Sequence, residues 1–488
     1  MAQASDSKTL TENQEPITPW SPALRMLTLG ALVTIVAGAF EALAVATVMP
    51  RTVDDLGGLH YYGWAFSAYL LANIVGLTVA GAESDRSGPG RPYLAGILCF
   101  GAGLLIAGLA PAMLVLIIGR AVQGFGGGLF NSAIYVVVGR AYPESAKPKM
   151  LALMSSAWVM PGLIGPAFAG IIADHFNWRA VFLGMLPILA LAVAFAYPRI
   201  RTIGGGGVET ARNWTRYGRA VALAVGSTVM IAGMSASKIW LAVPAILAGG
   251  FVTYLMVKRL MPAGTLRAAY GLPAAIAVMG LLNLGFFGVD AFVPLALTDI
   301  RDRSTAFAGL ALTAATITWS GGSWIQAHLS ATHSRRAVIR VGLVLIAFGC
   351  VSIMATLFDA VPVYFAPFAW AFAGLGMGLA YSGVSLTVLQ TATPGQEGAA
   401  TSSMQLSSIL GTALGAGIGG AWIDLLSEGD TASRSSLIVQ DLLMVVVLAV
   451  AFLVARNIPK GPRRDKTAGA PVESGAPAEQ IPVGAAAD

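Results

Sequence analysis

The chain has 488 residues, of which 56% are hydrophobic and 11% are charged, and its formal net charge is +6. Soluble domains carry about a quarter of their residues as charged groups. No long stretch of this chain is polar enough to be such a domain. The composition therefore excludes a set of soluble domains and predicts an all-α protein that crosses the membrane many times.

The start of the chain does not resemble a secretory signal. Residues 1–20, MAQASDSKTLTENQEPITPW, are polar and of mixed charge. Cys99 and Cys350 lie in apolar runs, where single cysteines usually pack as small hydrophobes, so we expect no disulfide. The four histidines are scattered and form no metal-binding cluster. We therefore expect no metal and no cofactor.

Fourteen apolar runs are long enough to cross the hydrocarbon core as helices, which takes about 20 residues each. They are 25–49, 63–82, 93–112, 113–139, 150–173, 179–197, 217–236, 239–257, 268–298, 305–327, 337–357, 361–391, 397–423 and 435–455. The third and fourth runs are divided at Ala110-Pro111, and the seventh and eighth at Ser237-Lys238. These runs predict a bundle of fourteen transmembrane helices.

The basic residues give this bundle an orientation. An even number of spans puts both termini on one side, and about three quarters of the 30 Lys and Arg residues fall in segments on that side. The positive-inside rule makes this side cytoplasmic. We therefore predict a multi-pass protein of the cytoplasmic membrane with both termini in the cytoplasm, and the net charge does not indicate nucleic-acid binding.

The two halves of the chain repeat each other. GLIGPAFAGIIAD (162–174) aligns with TALGAGIGGAWID (412–424), and GFGGGLFNSAIYVVV (124–138) aligns with GLGMGLAYSGVSLTV (374–388). In a looser match, Asp290 takes the place of Glu41, one position out of register. Repeats related by an axis along the membrane normal are typical of alternating-access transporters whose binding site lies between the halves.

The predicted domain organisation has six parts. They are a cytoplasmic N-terminal tail (1–24), an N-terminal six-helix bundle (25–199), a glycine-rich cytoplasmic linker (200–216), two additional transmembrane helices (217–267), a C-terminal six-helix bundle (268–456) and a disordered cytoplasmic tail (457–488).

The segment between the second and third spans, GAESDRSGPGRP, resembles the G-x-x-x-D-R-x-G-R signature of the major facilitator superfamily. The matching residues are Gly81, Asp85, Arg86, Gly88 and Arg91, with two extra residues before the last of them. Asp85 and Arg86 at a helix end can form a charge-assisted latch that breaks when the cytoplasmic side opens. The alternative is an ordinary charged turn.

Two further motifs extend the resemblance to the fourteen-span drug/proton antiporter branch of that family. LVLIIGRAVQGFGGG (114–128) resembles the R-x-x-Q-G motif of span 4 and contains Arg120, the only basic residue predicted inside the membrane. WVMPGLIGPAFAGII (158–172) resembles the antiporter motif of span 5, which the family associates with export. Its matching residues are Gly162, Gly165, Pro166 and Gly170. The alternatives are a structural ion pair for Arg120 and simple helix packing for the glycines.

The first span supplies the predicted proton carrier. Glu41 and Pro50 match the acidic residue and the proline of the span 1 motif of this branch. Glu41, Asp290 and Arg120 are predicted at a similar depth, about 10 to 12 Å below the outer surface. Burial disfavours a charged carboxylate and a nearby arginine favours it, so the two effects together can create a proton site. Asp290 is predicted as a second proton carrier or a cation contact, and a buried acid fixed by hydrogen bonds is the alternative for both.

Aromatic and amide side chains on the spans expected to line a central cavity are candidate substrate contacts. They are Tyr69, Asn73, Asn131, Trp158, Phe287, Trp319, Tyr381 and Gln405. An aromatic cavity with few charges suits amphipathic or cationic drug-like molecules. For any one of these residues, ordinary packing is the alternative.

The resemblance implies a proton-coupled secondary transporter that exports amphipathic drug-like compounds by alternating access. Export of a lipid or a specific metabolite stays open as an alternative, and a transport-inactive receptor or scaffold is a more remote one. We expect no enzyme, because no catalytic His, Ser or metal set converges, and no ATP drive, because no phosphate-binding loop is present. The expected partners are a small molecule, protons and the lipid bilayer, with no nucleic acid, and the protein is expected to be a monomer.

Overall fold

The computed structural model describes residues 18–143, 146–204, 214–236, 238–329, 332–393, 397–426 and 432–460. Within these ranges the chain is almost entirely helical. The helices of the first half are α1 (Arg25–Leu56), α2 (Tyr62–Ser87), α3 (Gly90–Gly108), α4 (Met113–Ala141), α5 (Lys147–Ser156), α6 (Val159–His175), α7 (Trp178–Leu183) and α8 (Met185–Ile200).

Two helices follow the first half, and seven more make up the second half. The two helices are α9 (Trp214–Met234) and α10 (Ile239–Leu260). The second half contains α11 (Leu272–Asp290), the single turn α12 (Val293–Leu295), α13 (Thr305–Leu329), α14 (Arg335–Ala355), α15 (Ala366–Thr391), α16 (Glu397–Leu426) and α17 (Arg434–Val454). A π-helical turn, Ala296–Ile300, continues α12.

Twelve helical stretches of the described chain are long and apolar enough to cross a membrane. The other two predicted spans correspond to α13, which has 25 residues, and to α6, which has 17. The fifth predicted span is divided at Ala157-Trp158 into α5 and α6, and Pro161 lies in the first turn of α6, where a proline is tolerated. The fourteen-span count therefore stays a prediction.

The segments predicted to be linker and tail begin with packed residues. Arg140 donates a hydrogen bond to the carbonyl of Gly204 at 2.9 Å. Near the C-terminus, the carbonyl of Asn457 accepts from the Gly271 amide at 3.0 Å. Hydrogen bonds from neighbouring helix ends thus reach Gly204 and Asn457, while 1–17, 205–213 and 461–488 lie outside the described residues.

The two halves share their internal packing, which confirms the predicted repeat. Gly124 on α4 lies so close to α2 that a Cβ atom there would overlap the backbone oxygen of Tyr69. The aligned Gly374 on α15 makes the same close approach to the backbone oxygen of Ala315 on α13. Small residues at equivalent positions therefore set the same helix spacing in both halves.

The two halves contact each other at one end of the bundle, called here the Arg51 end, where α1, α6 and α16 end and α2 and α13 begin. At this end a Cβ atom on Gly170 of α6 would lie 2.7 Å from the Ala306 Cα atom of α13. A Cβ atom on Gly420 of α16 would lie 2.7 Å from the Gly63 Cα atom of α2. Glycine thus permits close contact at both interfaces. The opposite end, where α2 ends and α3 begins, is called the Arg91 end.

Candidate functional site

A buried ion pair joins α1 to α4 in the first half. Glu41 and Arg120 are each 2% exposed, and Nη1 of Arg120 donates a hydrogen bond to Oε1 of Glu41. The same guanidinium donates to Oε1 of Gln123 at 2.8 Å and to the Ala65 carbonyl at 3.0 Å. Its central carbon lies 4.4 Å from the ring centroid of Tyr69. The two groups predicted at similar depth are therefore in direct contact.

Sequence reasoning missed Gln123 as a member of this cluster. The signal was present, because residues three apart on a helix lie on the same face, and Gln123 follows Arg120 at that spacing. Its amide oxygen fixes the guanidinium in line with Glu41. The R-x-x-Q spacing therefore orients the arginine as well as marking the family.

The second carboxylate oxygen of Glu41 gives the cluster its chemistry. Among the described residues, no donor is hydrogen-bonded to Oε2 of Glu41, and this atom is buried. A proton can therefore bind at Oε2 without displacing the hydrogen bond that Arg120 makes to Oε1. The pair is electrically neutral as it stands, and protonation of Glu41 leaves it with a net positive charge.

The second half contains a corresponding acid with a different partner. Nε1 of the fully buried Trp370 donates a hydrogen bond to Oδ1 of Asp290 at 2.8 Å. The repeat that aligns 124–138 with 374–388 places Trp370 where Arg120 stands in the first half. Asp290 is thus bonded to a neutral indole and not to the arginine at similar depth. The acid–donor arrangement is repeated, but the positive charge is not.

An aromatic row extends from this acid. Phe286 stacks on Trp370 with ring centroids 5.2 Å apart and contacts Trp319 at 5.8 Å. Trp319 in turn lies 6.2 Å from Phe287 and 5.8 Å from Tyr381. The structure therefore brings together three of the predicted cavity residues, Phe287, Trp319 and Tyr381, in one half-buried group.

The other predicted cavity residues do not join this row. Tyr69 packs on the arginine of the ion pair, and Asn73 donates to the Gly124 carbonyl at 3.3 Å, so both contribute to packing between α2 and α4. Asn131 and Gln405 are half-buried. Trp158 lies at the break between α5 and α6 and is 48% exposed.

The charged residues of the family signature lie at the end of α2 and the start of α3. Arg86 donates to Glu83 at 2.8 Å, because residues three apart lie on one helix face whereas adjacent residues do not. The side chain of Asp85 lies outside the described residues. Gly88 adopts a φ of 84°, which favours glycine, and Arg91 is exposed beside the start of α3. The latch between Asp85 and Arg86 therefore stays a prediction.

Gly90 and Gly81, near the family signature, differ in how closely other atoms approach them. A Cβ atom on Gly90 would lie 2.9 Å from the Cα atom of Arg201, so this glycine lets the loop pack on the chain after α8. At Gly81 the nearest atom to such a Cβ is Oγ of Ser132 at 3.9 Å, which is ordinary contact. The chain after α8 thus packs closely on Gly90, whereas Gly81 within α2 makes no such close contact.

The small residues of the antiporter motif form the interface between the halves. Gly162, Pro166 and Gly170 face α13, and Gly165 faces α1. Ala169, another small residue of this segment, is fully buried. Small residues along α6 therefore bring the two halves into close contact.

A polar contact closes the same interface at the Arg51 end. Asp174, the last residue of the repeated motif, accepts from Arg51 at 3.3 Å and from the backbone amide of Ala306 at 3.0 Å. Tyr62 donates to the Ala291 carbonyl at 3.0 Å, again across the interface. The bonds from Ala306 and Tyr62 connect the halves at the Arg51 end and must break if that end opens, whereas the Arg51 bond holds Asp174 within the first half.

No metal site is found in the described part of the chain, where no group of three or more His, Cys, Asp and Glu side chains could hold an ion. The buried acids Glu41 and Asp290 are instead hydrogen-bonded to protein donors. A third buried acid has no such donor among the described residues. This acid is Asp441 on α17. Sequence reasoning missed it, although it is a single carboxylate inside the last apolar run.

The profile described as Major Facilitator Superfamily matches residues 30–291 and 278–483. The chain belongs to the Major Facilitator Superfamily. This membership confirms the predicted family, the all-α fold with two repeats, and the expectation that the protein is a transporter and not an enzyme. It is a multi-pass membrane protein.

Curated relatives of this superfamily member cover nearly its whole length. A probable multidrug-efflux transporter of Mycobacterium tuberculosis is 26% identical over 91% of this chain and 97% of its own. The multidrug transporter protein MdtP of Bacillus subtilis is 27% identical over 80% of this chain and 73% of its own. The methylenomycin A resistance protein of Streptomyces coelicolor is 26% identical over 86% and 88%, respectively.

Solved structures support the fold. The nucleoside transporter NupG aligns with a TM-score of 0.62 and 12% identity over 88% of this chain and 99% of its own. A POT family transporter in complex with 5-aminolevulinic acid gives a TM-score of 0.63 and 14% identity over 88% and 96%. At such identities the likeness shows the fold alone.

Proposed function

We propose that this protein is a proton-coupled exporter of amphipathic drug-like compounds that works by alternating access. The observation that carries the proposal is the buried Glu41–Arg120 pair, whose carboxylate retains a free buried oxygen. Intramembrane ionisable groups are costly and usually functional. The multidrug transporters among the curated relatives support a drug-like substrate.

Protonation of Glu41 is the proposed coupling step. A proton at Oε2 removes the negative charge of Glu41, so the attraction to Arg120 weakens while Arg120 keeps its bonds to Gln123 and the Ala65 carbonyl. The contact between α1 and α4 then costs less to rearrange. If Glu41 binds the proton in the outward-open state and releases it in the inward-open state, proton entry drives substrate exit.

The state of the bundle suits an exporter that awaits its substrate. The halves are joined at the Arg51 end, whereas Tyr135 on α4 is 52% exposed nearer the Arg91 end. The positive-inside rule makes the Arg91 end cytoplasmic, so the Arg51 end, where the halves are joined, is the outer end. We propose that both termini are cytoplasmic, that fourteen helices cross the cytoplasmic membrane, and that one chain is the working unit.

The aromatic row beside Asp290 is the proposed substrate surface. Phe287, Trp319 and Tyr381 offer ring faces. Asp290 is connected to this row through Trp370 and Phe286. Aromatic faces attract cations as well as apolar groups. An amphipathic cation therefore fits, and the proton gradient supplies the energy without a cofactor.

Accumulation of a panel of dyes and antibiotics in cells tests this function. Cells with the protein are compared with cells that carry Glu41→Gln, each with and without a protonophore. We expect the protein to lower accumulation of at least one amphipathic cation severalfold, and both the protonophore and Glu41→Gln to abolish the difference. The absence of any protonophore-sensitive difference at equal expression would refute the proposal.

A further inference from the structure

Asp441 is a buried carboxyl group that the mechanism above does not use. It lies on α17 and is 6% exposed. Within the described residues it forms neither an ion pair nor a hydrogen bond, whereas Glu41 is paired with Arg120 and Asp290 is bonded to Trp370. Asp441 is therefore the buried acid of this bundle that lacks a protein partner in the described chain.

The carboxyl group of Asp441 faces a small cavity. The cavity has a volume of about 10 Å³, and the rest of its lining is apolar, including Val289, Ile353 and Leu437. Such a volume is just enough for a single water molecule. Because Val289 precedes Asp290 in α11, the cavity lies beside the acid–indole pair of the second half.

The arginines described on the elements around α17 are engaged with groups other than Asp441. Arg340 of α14 lies over the Phe452 ring, Arg336 donates to the Ile458 carbonyl, and Arg301 donates to the Thr356 and Phe358 carbonyls. Cys350 on α14 lies close to two acids. The carboxyl groups of Asp441 and of Asp290 on α11 both interact with its thiol. Asp299 on the π-helical turn accepts from a neighbouring hydroxyl at 2.9 Å, and Asp424 on α16 interacts with a histidine of the first half. Asp441 is thus surrounded by acids, a thiol and apolar side chains.

Asp441 lies in the half of α17 that is nearer the Arg51 end. Helix α17 begins at Arg434, which pairs at the exposed end with Asp359 at 3.2 Å. Asp441 lies seven positions after Arg434 on the helix. At the helical rise of about 1.5 Å per residue, the carboxyl group therefore lies about 10 Å from that end. An unpaired carboxylate at such depth is expensive, whereas the neutral acid is tolerated.

We propose that Asp441 is a second proton-binding carboxyl group, which serves the C-terminal half and exchanges its proton through this cavity from the Arg51 end. The inference deepens the proposed proton-coupled function and rests on it. In the described state Asp441 carries its proton and is neutral. When the Arg51 end opens, water reaches the cavity and allows the proton to be exchanged.

Infrared spectroscopy of the purified full-length protein tests the protonation of Asp441. At neutral pH, we expect Asp441→Asn to lack one carbonyl band of a protonated carboxyl group that the unchanged protein shows. Asp359→Asn, which removes an exposed acid at the same end, is the matched control and should retain the band. A spectrum of Asp441→Asn with every protonated-carboxyl band intact would overturn the inference.

Proton counting separates this inference from the function on which it rests. In reconstituted vesicles with ethidium as the transported cation, Asp441→Asn should lower the ratio of protons to ethidium, and Asp441→Glu should restore it. Proton-driven transport with an unchanged ratio in Asp441→Asn would refute the role of Asp441 alone. Transport that ignores the proton gradient even in the unchanged protein, together with an intact Asp441 band, would refute the proposed function and leave Asp441 as a neutral buried acid without a coupling role.

Discussion

The two halves of the bundle hold an acid in the same way but with different electrostatics. In the first half Glu41 is bonded to the guanidinium of Arg120, and in the second half Asp290 is bonded to the indole of Trp370. The repeat places the two donors at equivalent positions of α4 and α15. Both halves thus contain a donor bonded to an acid, and the donor is charged in the first half and neutral in the second.

We propose that this difference gives the two acids different tasks. An arginine cannot release its proton in a protein, so Arg120 stays charged and favours the ionised form of Glu41. An indole offers one hydrogen bond and no charge, so Trp370 orients Asp290 without fixing its ionisation. The first half therefore suits charge-linked proton release, and the second half suits substrate contact and proton storage.

Removal of the arginine is expected to have the largest effect on stability. Arg120→Leu leaves Glu41 as a buried acid without its counter-ion, which should lower the free energy of unfolding by about 3–5 kcal/mol. Denaturant unfolding of the purified protein in detergent measures this change. Arg51→Gln, which breaks the exposed pair with Asp174, is the control and should cost less than about 1 kcal/mol.

A double variant shows whether the loss of stability comes from the unpaired charge of Glu41 or from lost packing. Adding Glu41→Gln to Arg120→Leu removes the unpaired charge, so the double variant should recover a large part of the lost stability. Equal losses in the single and double variants would mean that the arginine acts through packing, and the contrast between the halves would fail.

Removal of the indole donor is expected to have a smaller effect. Trp370→Phe leaves an acceptor of Asp290 without its donor, at a cost of about 1–3 kcal/mol in the same unfolding experiment. Phenylalanine keeps a ring that can stack on Phe286, so packing loss is limited. A loss as large as that of Arg120→Leu would indicate that Asp290 is held as a charged group, contrary to the proposed contrast.

Part of this site is readable from sequence, and part is not. The family motifs and helix depth together indicate that Glu41 and Arg120 can meet, because both follow from position along a helix. The bond from Trp370 to Asp290 could not be found in this way, because it depends on how α15 packs against α11. Tryptophan in an apolar run also reads as ordinary core.

The same distinction holds for the fold. Apolar length located the helices to within several residues, since each span must cross the same hydrocarbon thickness. The break between α5 and α6 was not predicted, because the apolar run continues through Ala157 and Trp158 and only the backbone shows the turn. The bond from Arg86 to Glu83 was likewise not predicted, although residues three apart lie on one helix face.

Proton-driven transport by Glu41→Gln and Asp290→Asn, compared in the same reconstituted vesicles, tests the proposed division of tasks most directly. Glu41→Gln should abolish the response of ethidium transport to a proton gradient while retaining exchange without a gradient. Asp290→Asn should weaken transport of the cation while retaining the response to the gradient. Intact proton-driven transport in Glu41→Gln would contradict the assignment of Glu41 as the coupling residue.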